Sequence, residues 1–230
     1  MKIVSWNACC RFREKFKEIL ELGADIYVIQ ECEKPTEKHG KEYIDITKNG
    51  FWIGDLNYKG LMVFSPNPEI KLKKLDWNLN GLRYFIPVKV NDEFTLVGSW
   101  ACNPHIEEFF KFIDVAKDQL ADKTVIIGDL NSNPVFDTKK GKNSRSHLMA
   151  VDELRKFGME DIYHHKTGDE QGNESKGTFY MYRHEDKPYH IDHCFANPSL
   201  ITSFRIMERD KWLKFSDHLP IEIDITLKYS

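Results

Sequence analysis

No run of apolar residues in this chain is long enough to cross a membrane. Runs such as Ile26 to Ile29 and Val125 to Ile127 fall far short of the ~20 residues that a spanning helix needs. Met1 to Cys10 lacks the apolar stretch of a secretory signal, because Ser5 and Asn7 interrupt it, so an intracellular, cytoplasmic protein is expected. No CxxC pair occurs among the five cysteines, Cys9, Cys10, Cys32, Cys102 and Cys194. That excludes a zinc knuckle or a CxxC redox motif and points to reduced thiols packed as small hydrophobes. Nor is there an excess of positive charge: 33 Lys and Arg face 36 Asp and Glu, for a net charge of −3. Proteins that track nucleic acid along its backbone are usually basic. Attraction to phosphate therefore needs a local patch or a bound divalent metal. Internal repeats, low-complexity tracts and Pro/Ser-rich linkers are absent as well.

What is present fits one globular domain over residues 1–230. Of 230 residues, 41% are apolar and 30% charged, so a core forms without staples. Short strands alternate with a few amphipathic helices. Lys2 to Trp6 and Asp25 to Gln30 read as strands, the second buried on both faces. Between them Phe12, Phe16, Ile19 and Leu20 share a helical face that Gly23 ends. A second helix is signalled from Ile106 to Leu120 and a third from Leu148 to Phe157. Further strands are expected over Gly60–Ser65, Arg83–Val90, Phe94–Trp100, Thr124–Gly128, Thr178–Tyr182, His190–Ala196 and Leu219–Leu227. Asn91-Asp92 marks an antiparallel hairpin. Many strands and few helices suit an α+β arrangement of two packed sheets with helices outside.

The informative feature is a series of polar residues at strand ends. In order they are Trp6-Asn7, Gln30-Glu31, Gly128-Asp129-Leu130-Asn131, His190-Ile191-Asp192 and Ser216-Asp217-His218. Each follows or lies within an apolar strand, where an acid or amide is costly to bury without a partner. Residues two apart share a strand face, so Asp129 and Asn131 are expected to point the same way. Any one segment is explained as a turn former or strand cap; five in one chain are not.

These segments, "SWN", "QE", "GDLN", "IDH" and "SDH" in this order, resemble the endonuclease/exonuclease/phosphatase superfamily, of the exonuclease III-like and deoxyribonuclease I-like kind. The stretch "GTFYMY…YHIDHCFANPSL" is similar to the segment before that family's penultimate strand. The likeness runs from Ile3 to about Ile225. It implies a four-layer sandwich, two mixed β-sheets flanked by α-helices, with the site at one end of the sheets. It also implies Mg²⁺ or Mn²⁺, held by Glu31 with Asn7 beside it and Asp217 contributing. Carboxylate and amide oxygens suit those ions. By the same resemblance Asp129 orients or deprotonates the attacking water and Asn131 holds phosphate or water. His218 contacts the scissile phosphate, while Asp192 fixes and charges its imidazole, as a neighbouring carboxylate does.

One departure stands out. Where the family offers a histidine or tyrosine to the phosphate, this chain reads "VGSWACNP" and places Trp100. Indole donates one hydrogen bond but neither transfers a proton nor carries charge. Trp100 is read as a neutral donor or an aromatic wall in preference to a stacking platform. His105, five residues on, is either a substitute or a helix-start residue, with the second preferred. The basic run Lys139, Lys140, Lys142 and Arg145, with His147, follows "GDLNSNPVFD" and is either a phosphate-binding loop or a solvated face. His39, His164, His165, His184 and His193 show no ligand-like spacing; His190 shares a strand face with Asp192. Asp55 and Asp76 read as turn residues.

The expected activity is that of a metal-dependent phosphodiesterase acting on nucleic acid, DNA foremost, in a monomeric protein. The alternative is a phosphomonoesterase or small-molecule phosphodiesterase of the same superfamily, which the acidic balance and Trp100 favour. A silent binding module with the same fold conflicts with the intact Glu31, Asp129, Asn131, Asp192, Asp217 and His218.

Overall fold

The computed structural model describes residues 1–121, 123–139 and 145–226, without the side chains of 138 and 139. The first part runs β1 (Lys2–Asn7), α1 (Phe16–Leu20), β2 (Ile26–Cys32), α2 (Lys41–Thr47), β3 (Gly50–Leu56), β4 (Lys59–Phe64), β5 (Leu72–Lys74), β6 (Phe85–Val90) and β7 (Phe94–Trp100). It continues with α3 (Ile106–Ala116), β8 (Thr124–Asp129), α4 (His147–Arg155), β9 (Glu160–Asp161) and α5 (Ile162–Thr167). The last part holds β10 (Phe179–Tyr180), β11 (Pro188–Tyr189), β12 (Asp192–Ala196), β13 (Ile201–Ile206), α6 (Arg209–Trp212) and β14 (Ile221–Ile225).

Two six-stranded sheets result. One has the order β13-β14-β1-β2-β4-β3, the other β5-β6-β7-β8-β12-β9. Each is mixed, with one central parallel pair, β1–β2 and β7–β8, among antiparallel neighbours. Strand alternation builds the layers. In β2, Ile26 and Val28 enter the core between the sheets, while Tyr27 and Ile29 face the helical side with Phe12, Phe16, Tyr43 and Trp212. In β8, Val125 and Ile127 point between the sheets and Ile126 meets Phe109 and Phe112 of α3 and Leu154 of α4. Burial on both faces explains why these strands are continuous apolar runs. The architecture is the expected α+β four-layer sandwich.

Local differences have local causes. The expected helix from Phe12 begins instead as a 3₁₀ turn, Phe12–Glu14, because the buried Glu33 carboxylate accepts from the backbone N–H of Phe12 (2.8 Å) and Arg13 (3.0 Å). The Thr178–Tyr182 strand shortens to Phe179–Tyr180 and then turns into a 3₁₀ segment. Edge strands β3 and β13 have mostly half-buried residues, and α2 buries only Tyr43 and Thr47, so none carried a sequence signal. The β6–β7 hairpin does turn at Asn91-Asp92, both at positive φ, and Glu93 N–H closes it onto the Val90 carbonyl at 2.8 Å. All five cysteines are free, and among the described residues no helix is long and apolar enough to cross a membrane.

Candidate active site

The carboxyl ends of the two parallel pairs meet at one edge of the sandwich. The alternation that sends Ile3, Ile26, Leu96, Val125 and Cys194 between the sheets also sends their strand-end successors there. Ser5 and Asn7 in β1, Gln30 in β2, Trp100 in β7, Asp129 in β8 and Asp192 in β12 keep that parity. Register aligns them: Asn7 lies opposite Gln30, Trp100 opposite Asp129, and Asp129 opposite Asp192. Gln30 Nε2 donates to Ser5 Oγ (2.9 Å) and across the gap to the Ser99 carbonyl (3.2 Å), tying the sheets beneath the site. Gly128 is required where it stands. Its φ is +155°, and a Cβ there would lie 1.8 Å from the Ser99 carbonyl oxygen.

Asp129 is the centre of the arrangement and is wholly buried. Its carboxylate accepts from Asn131 N–H (2.8 Å), Asn7 Nδ2 (2.9 Å) and Asn131 Nδ2 (3.1 Å). Asn131 reaches back from a left-handed backbone, φ 49°, rather than by continuing the strand. His218 Nδ1 is 2.9 Å from Asp192 Oδ2, and its Nε2 lies 4.0 Å from Asp129 Oδ2. The Trp6 indole donates to the His218 carbonyl (3.0 Å), and Ser216 Oγ accepts from His218 N–H (3.1 Å), so the "SDH" turn is docked onto the end of β1. Ligand atoms of Asp129, Asp192 and His218 all lie within 4.8 Å of one another. Asp192 Oδ1 is buried without a partner.

The charge states follow. Burial raises the Asp129 pKa, with Asp192 adding to the effect against His218 and the amides. Burial alone would strip His218 of its proton, but the Asp192 and Asp129 carboxylates outweigh it and raise its pKa. The site thus joins a reluctant carboxylate to a persistent imidazolium.

The rim is built by β2, β4 and the loop after β1. Cys9, Cys10 and Arg11 all have positive φ, and the loop is held by Asn7 Oδ1 accepting from Cys9 N–H (2.9 Å) and Lys15 Nζ donating to the Ala8 carbonyl (2.6 Å). Glu31, also at positive φ, pairs with Lys59 Nζ at 3.1 Å and accepts from Cys10 Sγ at 3.6 Å. Cys9 feels both Asp217 and Glu31, so these carboxylates flank one thiol. Burial and Glu31 push the Cys10 thiol up to about 11, and burial and Asp217 raise Cys9. Neither is a thiolate nucleophile at neutral pH.

Trp100 stands in the wall, 5% exposed, edge-on to Tyr84 at 4.7 Å and beneath Lys59 Nζ at 5.3 Å, with its indole N–H unpartnered. Lys59 and the cysteine loop were not singled out from the sequence. An isolated lysine before an apolar strand carries no signal, because the β2–β4 pairing alone brings it to Glu31. Arg145 is engaged elsewhere, 3.0 Å from Asp114 and 4.8 Å over the Phe110 ring, both on α3. Lys140, Lys142 and the side chain of Lys139 lie outside the described residues. His105 is exposed at the start of α3.

The sequence of residues 4–218 fits the endonuclease/exonuclease/phosphatase family, and no curated protein sequence matches significantly. Among solved structures, the 3′ phosphatase NExo from Neisseria, bound to product DNA hairpin, has a TM-score of 0.74 at 18% identity, over 99% of this chain and 100% of that one. The 3′-5′ exonuclease NExo from Neisseria meningitidis gives 0.72 at 17% identity, with the same coverage. An AP endonuclease from Archaeoglobus fulgidus gives 0.70 at 17%, again over 99% and 100%. At these identities the structural likenesses establish the fold. With the family match spanning nearly the whole sequence, the chain belongs to the endonuclease/exonuclease/phosphatase family and is a hydrolase of phosphate ester bonds.

Proposed function

We propose that the chain is a divalent-metal-dependent nuclease cleaving phosphodiester bonds of DNA. The observation that carries the reading is the buried Asp129–His218–Asp192 group, with Asn7 and Asn131 fastened to Asp129, at the open end of the sheets. Of the proteins of similar fold described above, the 3′ phosphatase NExo is bound to a product DNA hairpin, and the others are described as a 3′-5′ exonuclease and an AP endonuclease.

In this reading Asp129 accepts the proton of the attacking water, and its burial makes it a stronger base than an exposed carboxylate. Asn7 and Asn131 fix its oxygens. His218, held charged by Asp192, places an imidazolium N–H on the phosphate oxygens, where negative charge grows. The donors at the rim are oxygens: Glu31, Asp217 and the Asn7 amide. That set suits Mg²⁺ or Mn²⁺, and Lys59 already shows that Glu31 draws a cation. Such an ion would be held by Glu31 with Asn7 and Asp217, and when bound supplies Lewis-acid stabilisation of phosphate and of the leaving oxygen. The unpartnered Trp100 N–H is a neutral donor to substrate oxygen or part of the wall. Lys139, Lys140 and Lys142 are proposed as contacts for flanking phosphates, whereas Arg145 would first have to leave Asp114.

The net charge of −3 favours one alternative, a phosphomonoesterase or an enzyme of small phosphate esters. A Mg²⁺ panel separates them: abasic duplex, single-stranded DNA, nicked plasmid, DNA with a 3′ phosphate, RNA and inositol phosphates. Cleavage of internal or terminal DNA phosphodiesters is expected. Turnover confined to monoesters or inositol phosphates would overturn the nuclease reading.

A further inference from the structure

On the opposite face of β12 from Asp192 lies a second group, unrelated to the catalytic one. His193 follows the parity of Phe195 and points to the helical side, beneath the first turn of α4. There one ligand atom each from His147, Asp161 and His193 lie within 4.8 Å of one another, and all three residues are buried. His147 opens α4, Asp161 ends β9, and His193 is on β12.

Two observations mark it as more than packed polar side chains. First, each imidazole is anchored through one nitrogen on a protein oxygen. His193 Nε2 donates to the Ser132 carbonyl (3.0 Å), leaving Nδ1 against Asp161 Oδ2 (2.8 Å). His147 Nδ1 is held by Ser132 Oγ (3.1 Å), and the neighbouring His190 Nδ1 by the Lys176 carbonyl (3.1 Å). Anchoring one ring nitrogen on a protein oxygen is how metal-binding histidines are fixed. Second, two of the ring nitrogens lack partners: His147 Nε2 and His190 Nε2 are buried with no hydrogen bond. Each of these two residues is 1% exposed. Buried polar atoms are otherwise nearly always satisfied. The remaining neighbour, His164, is committed to Asp161 Oδ2 and Glu174 Oε1, both at 3.1 Å.

We propose that His147, Asp161 and His193 form a structural binding site for a transition-metal divalent cation of the zinc class, with His190 at its margin. Two imidazoles and a carboxylate suit Zn²⁺ or Co²⁺, whereas Mg²⁺ prefers oxygens alone. On binding, the metal takes the place of the proton between His193 Nδ1 and Asp161, which is released to solvent. It ties α4, β9 and β12 together behind the catalytic strand, and it is distinct from the Mg²⁺ or Mn²⁺ of the proposed reaction.

The test uses Co²⁺ added to the metal-stripped full chain. Visible bands of four-coordinate Co²⁺ are expected in the wild type and in Asp129→Asn, and none in His147→Gln. Ser132→Ala, which removes only the hydroxyl holding His147, should weaken Co²⁺ binding by roughly 10-fold. X-ray absorption of the Zn²⁺-loaded wild type needs no variant and should show at least two imidazoles in the first shell. The proposal is overturned if the wild type gives no such bands, or if His147→Gln keeps them. Loss of the bands in a folded Asp129→Asn protein, or an all-oxygen zinc shell, would equally overturn it by placing the ion at the catalytic edge.

Discussion

Strand β12 carries, on successive residues, two clusters made of the same side chains put to different uses. Asp192 faces the gap between the sheets and His193 the helical layer. On the first side an imidazole has Nδ1 fixed by a carboxylate and Nε2 still 4.0 Å from Asp129. On the second, both nitrogens of His193 are engaged within 3.0 Å, by Asp161 and the Ser132 carbonyl. The first lies at the sheet edge beside the half-exposed Glu31 and Asp217; the second is closed over by α4. A reacting group needs an atom left unfinished by its own protein. A structural group needs every atom finished, by the chain or by an ion.

Removing the divalent cation should break the catalytic side altogether while leaving the fold intact. Chelator-stripped enzyme should show no measurable turnover with an unchanged far-UV CD spectrum, and Mg²⁺ or Mn²⁺ should restore activity. Full activity in excess chelator would dismiss the metal. Glu31→Gln should recover part of its lost rate as Mg²⁺ is raised. Next in size, Asp129→Asn should lower kcat by about 10²–10⁴-fold with little change in KM. The Asp129 acid limb should also vanish from the pH–rate profile. Because burial raises that carboxyl, the wild-type limb should lie at higher pH than an ordinary carboxylate gives.

The double-mutant cycle sharpens the contrast. His218→Ala should cost about 10²–10³-fold in kcat, and adding Asp192→Asn should cost little more, because the carboxylate acts through the ring. Full additivity, read from single-turnover rates, would separate the two residues. On the structural side the expected readout is melting temperature. Burial lowers the His164 pKa, but Asp161 and Glu174 prevail and hold it at about 9, above its ordinary 6.5. Its contribution is therefore complete below pH 6.5 and lost as pH rises through about 9. The Tm of metal-free protein should fall across that window, and His164→Gln should flatten the fall. Smallest of all, Trp100→Phe should lower kcat/KM by roughly tenfold if the indole N–H meets substrate oxygen. An unchanged kcat/KM would leave Trp100 as a wall.

The sequence made the layers and the polar edge proposed as catalytic legible for one reason: apolar runs buried on two faces end in acids and amides of fixed parity. Val125 to Asp129 and Ile26 to Glu31 announce both the strand and its chemical terminus. Edge strands such as Ile201–Ile206 gave no such signal, because a half-covered strand carries a weak pattern. His147, Asp161 and His193 stayed hidden for another reason. Their spacing follows no helix or strand period and arises only when α4 folds over β12. Lys59 was equally silent, being placed by cross-strand pairing alone.

The position of β14 has a consequence for synthesis. It lies between β13 and β1, pairing Ile223 with Ile3, and the turn just before it carries His218. β1 therefore waits for a partner far along the chain, and a long-range closure of this kind forms late. Until residue 225 has left the ribosome, Asp129 and Asp192 have no imidazole beside them. A product truncated before β14 would leave β1 unpaired on that side and the His218 turn undocked from it.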